Sequence, residues 1–135
     1  MTRSGIAVCG VVLTLSLTGW VRADDANDSS NDVGKAMYRR YCGACHGPGG
    51  KGDGVASSFM QPKPIDLTQI AKRNGGEFPM QRIAQVIDGT NTPRAHGDPD
   101  MPVWGEVLRA ETTQRAEAQG KILLITNFLR SIQEK

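Results

Sequence analysis

The run Cys42-Gly43-Ala44-Cys45-His46 constrains this chain more than any other feature, because it puts two thiols and an imidazole on one short stretch of backbone. Three chemistries use such a cluster. A disulfide or a redox-active dithiol suits an exported protein, but a thioredoxin-like pair follows a strand and opens a helix whose dipole lowers the thiol pKa. Here the cysteines close an amphipathic segment, and no strand pattern precedes them. A structural zinc site calls for paired ligands at a second position, whereas the remaining histidine, His96, does not supply that spacing. The third chemistry is thioether attachment of a haem, in which each thiol joins a vinyl group while the next residue reaches the iron from one side. The spacing predicts this one, with Cys42 and Cys45 as attachment points, His46 as an axial ligand, and the small Gly43 and Ala44 leaving the macrocycle room beside the backbone.

The N-terminus indicates where that chemistry is carried out. Residues 1–23 begin with Arg3, continue through an apolar stretch over 6–17 and close on Val21-Arg22-Ala23, the pattern of a secretory signal peptide. The stretch is short for a bilayer span, and residues 24–31 are acidic and polar, as a trimmed mature end would be. Cys9 leaves with the signal, so two cysteines and two histidines remain in about 112 residues. Cleavage also removes Arg3 and Arg22, which brings 16 basic residues to 14, level with the 14 acidic ones. A near-neutral chain without a basic stripe gives no support to nucleic-acid binding. The expected organisation is a signal peptide over 1–23, a polar tail over 24–31 and one domain over 32–135, placed in the periplasm without stable membrane insertion.

Helical periodicity recurs along that domain. Val33, Ala36, Met37 and Tyr41 predict a helix from about Asp32 to Cys45, capped by Ser30, Asn31 or Asp32. Residues 47–64 hold five glycines and three prolines and read as a long loop. Asp66 can cap a short helix over 67–73, stopped by Asn74-Gly75-Gly76, and Pro79 can open another through Ile83, Val86 and Ile87 to Gly89. Residues 90–102 are irregular, a turn of helix follows near 104–108, and Thr112 or Thr113 can cap a last helix. Its seam is Ile122, Ile125, Leu129 and Ile132, flanked by Leu124 and Phe128. No period-two alternation is present, so the class is all-α. A protein-only core would be thin for these short helices, and a large apolar cofactor resolves that shortage.

Beyond Met1, four methionines compete with His96 for the second axial position. Met37 sits at core-like spacing on the helix before the cysteines, Met60 lies in the loop expected to pass the His46 face, and Met80 follows Pro79 at a helix start. Met101 lies about 55 residues beyond His46, between Pro99 and Pro102, which restrict the backbone and lower the entropy cost of presenting its sulfur. His96 is five residues earlier, so one loop can deliver either side chain.

Together these features resemble the class I cytochrome c family, over essentially all of residues 33–133. The resemblance is carried by the cysteine–histidine motif, by Gly34 and Tyr38 upstream with Phe128-Leu129 as their matching positions, and by the run 47–54 followed by Pro62, Pro64 and Leu67. Met101-Pro102-Val103-Trp104-Gly105 is similar to the methionine-ligand loop of the bacterial members, and the segments around 74–79 and 95–97 are like those of small bacterial cytochromes of respiratory chains. The resemblance implies a cytochrome c fold, with short helices wrapped around one covalent haem c and the N- and C-terminal helices packed together. It implies that the carbonyl of Pro62 or Pro64 accepts the His46 Nδ1 hydrogen, and that Met101 and His46 hold the iron. Trp104 and Arg94 are candidates for a haem propionate, and Lys51 and Lys63 for steering a partner.

Three functions fit such a chain. Filled axial positions make it a single-electron carrier between redox partner proteins and not an enzyme; the same chain could serve as the haem subunit of a larger oxidase or dehydrogenase; an open sixth position would make it a sensor or peroxidase. The carrier is the expected one. A pyridine haemochrome assay on protein made in a host with haem-attachment machinery should show one haem per chain with both vinyl groups saturated. A haem extractable into acidified organic solvent would refute the attachment.

Overall fold

The structure, a computed structural model, describes residues 23–90 and 101–134. Among the described residues six helices follow one another: α1 (Ala23–Tyr41), α2 (Gly43–His46), α3 (Ile70–Arg73), α4 (Met80–Asp88), α5 (Trp104–Ala110) and α6 (Arg115–Ser131), with 3-10 turns at Ser57–Phe59 and Leu67–Gln69. No strand occurs among the described residues, so the all-α class holds.

The fold is organised by α1 lying across α6. A side chain at Gly34 would run into the carbonyl oxygen of Leu124 and stand 3.2 Å from Phe128 Cβ, so the two helices touch backbone to backbone there. One turn further on, Tyr38 is fully buried and its ring meets Phe128 at 5.0 Å between centroids. The face of α6 predicted as a seam is the core: Ile122, Ile125, Phe128 and Leu129 are buried, joined by Ala118, by Ile87 of α4 and by Leu108 of α5. Thr126 is buried among them without cost to satisfaction, because its hydroxyl donates to the Ile122 carbonyl one turn back at 2.7 Å. Arg109 of α5 pairs with Asp88 at the end of α4 (2.6 Å), which ties these two shorter helices together.

Several boundaries differ from the sequence expectation. The first helix starts at Ala23 and not near Asp32, so Ser30, Asn31 and Asp32 lie inside it and not at its N-cap. Once residues 33–41 are held against α6, each added turn forms its hydrogen bonds without a new nucleus. Ser131 also donates to Asn31 Oδ1 at 3.1 Å, across the α1–α6 crossing. At the other end α1 breaks at Cys42, where φ is −112°, and the cysteine–histidine motif forms its own short turn. Before α6 neither Thr112 nor Thr113 is the cap. Gln114 holds that position in extended conformation, and the Thr112 hydroxyl bonds to the Gln114 carbonyl (3.2 Å). The predicted helix over 67–73 is a 3-10 turn running into α3, with Asp66 capping it through Thr68 N at 2.8 Å. Most of the irregular stretch, including Arg94 and His96, lies outside the described residues.

Two glycine substitutions should therefore act with opposite signs. Gly34→Ala forces α1 off α6 and should destabilise by about 1–3 kcal/mol. Gly120→Ala sits in α6 with open space around the new methyl and should stabilise by on the order of 1 kcal/mol. Urea unfolding of the two variants beside the parent checks both; equal shifts would refute the close approach.

Candidate functional site

The cysteine–histidine motif occupies α2 and the bend before it. The Cys42 carbonyl accepts from His46 N at 2.9 Å and Cys45 N at 3.2 Å, so both thiols and the imidazole leave one tight turn. Beyond α2 the chain doubles back and its amides bond to carbonyls of the motif in reverse order: Gly52 N to His46 O (2.9 Å), Gly54 N to Cys45 O (3.2 Å) and Ala56 N to Ala44 O (2.9 Å). This return explains the glycines. A Cβ at Gly54 would lie 2.6 Å from the Ala44 carbonyl carbon, so no larger residue lets the loop come that near. The Gly47 carbonyl accepts from the Tyr38 hydroxyl at 2.8 Å, a buried bond that joins the motif to the α1–α6 core. Burial, with lesser contributions from Cys42 and Asp53, raises the Tyr38 pKa well above the ordinary tyrosine range, so this donor keeps its proton.

His46 Nδ1 stands 3.3 Å from the Ile65 carbonyl. The partner expected from the sequence was the carbonyl of Pro62 or Pro64; the structure instead turns the next peptide toward the ring. Pro64 packs its carbonyl against Gly52, where a Cβ would lie 3.2 Å from the Pro64 carbonyl carbon, and Leu67 N is held by Gly50 O at 2.6 Å. Between those two anchors the Ile65 carbonyl faces His46. With Nδ1 as the donor to this carbonyl, the tautomer is the one that would present Nε2 to a metal.

The thiols bear on the rival chemistries. Cys42 and Cys45 do not form a disulfide, and Cys42 is buried while Cys45 is half-buried. Burial, then the neighbouring Cys45, pushes the Cys42 thiol up to about 12, the reverse of what a nucleophilic dithiol requires. Among the described residues no three His, Cys, Asp or Glu side chains gather as a metal cluster.

Residues 32–117, well over half of the chain, match the family model described as Cytochrome c. The chain belongs to the cytochrome c family. No curated protein and no solved structure matches it. Family members bind haem c covalently and use it for electron transfer, and one haem fits a single domain of about 86 residues. The residues present suit that group: two thiols and a ring nitrogen leave one turn, and the loop bonded to the motif carries Val55 and Phe59, 85% and 89% exposed on the polypeptide. Apolar side chains so open beside the motif are what a macrocycle attached there would cover.

Of the other predicted residues, Met101 is half-buried just ahead of α5, and Trp104 at the start of α5 meets the Tyr41 ring edge-on at 5.5 Å. Tyr41 directly precedes Cys42, so Trp104 packs against the residue before the motif. Met37 packs against the core as expected. Lys51 pairs with Glu134 at 3.4 Å, and Lys63 is exposed. Sequence reading missed the Ile65 carbonyl and the hydroxyl role of Tyr38; the latter had a signal in a tyrosine, not phenylalanine, facing a glycine-rich return.

Asp66 stabilises the turn next to Ile65. The Thr68 hydroxyl and then the Thr68 amide hydrogen-bond its carboxylate, with Arg73 and Lys51 nearby, and hold its pKa below the ordinary 3.8 despite some opposing desolvation. A carboxylate with a lowered native pKa stabilises above its unfolded pKa and loses that contribution as pH falls through the native value. Asp66→Asn should therefore flatten the decline in melting temperature below about pH 4 relative to the parent. Parallel profiles for the two proteins would refute the cap's charge.

Proposed function

We propose that this family member is an exported, periplasmic single-electron carrier whose signal peptide is residues 1–23, with haem c attached at Cys42 and Cys45 and the iron held by His46 and Met101. The observation that carries the proposal is the His46 ring, set on the motif turn with Nδ1 toward the Ile65 carbonyl at 3.3 Å. Haem c supplies an iron that gains and loses one electron. The protein's own residues do the rest. Thioethers at two points keep the group from dissociating, and the Ile65 carbonyl fixes the tautomer and orientation of the ligand. A thioether sulfur from Met101, neutral and soft, fills the remaining position and favours the reduced state. With both positions occupied by the chain, a change of redox state requires no substrate and little rearrangement, which suits a carrier and not an enzyme. No helix among the described residues is long and apolar enough to cross a membrane, consistent with docking to respiratory or dehydrogenase partners from the aqueous side.

The sixth ligand gives the test. Met101→Ala should lose the low-spin ferric spectrum of the parent, and Met101→His should keep a low-spin spectrum while lowering the midpoint potential by a sizeable part of the roughly 0.8 V that axial ligands span. His96→Ala should change neither. A parent protein that is high-spin in the ferric state would overturn the carrier reading in favour of a sensor or peroxidase, and loss of the low-spin spectrum in His96→Ala alone would move the ligand to His96.

A further inference from the structure

Gln133, just past the end of α6, joins its own helix to one short segment of chain far from it in sequence through its side-chain amide. Nε2 donates to the Leu67 carbonyl at 2.9 Å and to the Leu129 carbonyl of its own helix at 2.7 Å, while Oε1 accepts from Ala71 N at 2.8 Å. The next residue adds to the clasp: Glu134 N donates to Thr68 O at 3.0 Å, and its carboxylate accepts from Gln69 Nε2 at 2.6 Å. The end of α6 thus grips residues 67–71. Ile65, whose carbonyl faces His46 Nδ1, lies two residues before that segment.

We propose that Gln133 is a positioning residue for the axial histidine, acting through the Leu67–Ala71 segment on the Ile65 carbonyl; this rests on His46 being a ligand. The carbonyl is suspended between two anchors. Upstream, Pro64 is packed on Gly52; downstream, Leu67 N is held by Gly50 O and the Leu67 carbonyl by Gln133. The Nδ1 to oxygen separation of 3.3 Å already lies at the long end of hydrogen bonding. An outward drift of a few tenths of an ångström is therefore enough to end the bond, which makes it sensitive to whatever holds the downstream anchor. An imidazole that donates from Nδ1 is the stronger ligand at Nε2, and a stronger donor favours the oxidised, more highly charged iron. Releasing the clasp weakens the donor and raises the reduction potential.

The test uses the full haem-loaded protein with Gln133→Met, which keeps side-chain length and removes the amide, and Gln133→Glu, which keeps an acceptor for Ala71 N and removes the donors. Ile122→Val, a truncation on the buried face of α6, serves as the stability control. The readouts are midpoint potential and the rate at which the His46 Nδ1 proton exchanges with solvent, followed by NMR on the reduced protein. Both Gln133 variants should raise the midpoint and speed Nδ1 exchange several-fold with the low-spin spectrum retained, while Ile122→Val lowers the melting temperature and moves neither. Gln133 variants that only lose thermal stability would overturn the proposal and leave Gln133 a structural clasp. A parent protein whose His46 ring resonances are not shifted by the iron would instead remove the ligand assignment itself, a result distinct from any behaviour of Gln133. Should Gln133→Met fail to fold, Gln133→Glu decides by the same two readouts.

Discussion

The backbone-to-backbone approach of α1 and α6 at Gly34 is the contact on which the remainder rests. It sets the depth at which Tyr38 enters the core, and the Tyr38 ring on Phe128 in turn places a buried hydroxyl under the Gly47 carbonyl. The motif turn is thereby fastened to the packed helices at its far end, while α1 runs into it directly at Cys42. A side chain on residue 34 would move the helix, and every later element of that chain of contacts would move with it.

A second constraint is the return of residues 50–56 along the motif. The helices are short, and the largest fully buried side chains among the described residues (Tyr38, Leu108, Ile125 and Thr126) lie among the helices, not in the loop. The loop is held by backbone hydrogen bonds to the carbonyls that follow Cys42, which can form only because glycine lets the two backbones touch. Backbone groups that would otherwise be left unpaired at the end of a helix are satisfied in this way. Covalent haem adds the apolar surface that the polypeptide lacks, in keeping with the linkage between a bound group and the native state.

Legibility from sequence divides along these lines. The seam on α6, the stop at Gly89 and the cap at Asp66 were readable because each depends on residues within a turn or two of one another. The start of α1 was not, since a polar segment continues as helix only when the packed residues beside it supply the nucleus. The Thr112 or Thr113 cap failed for a similar reason: two threonines qualify by type, but the direction in which α6 must leave to meet α1 puts Gln114 at the cap position. Pro62 and Pro64 were reasonable partners for His46 by position, yet a carbonyl's direction follows from the whole path of the loop.

The sequence by itself determined an all-α chain of the cytochrome c family that carries a contiguous cysteine–histidine motif, because helical period and such a motif are written in neighbouring residues. Only the tertiary structure decided which carbonyl meets the histidine and what holds that carbonyl in place. Ile65 is 19 residues from His46, and Leu67 is 66 from Gln133. Contacts over such separations depend on the folding of everything between them, and no local pattern of side chains encodes a peptide's orientation.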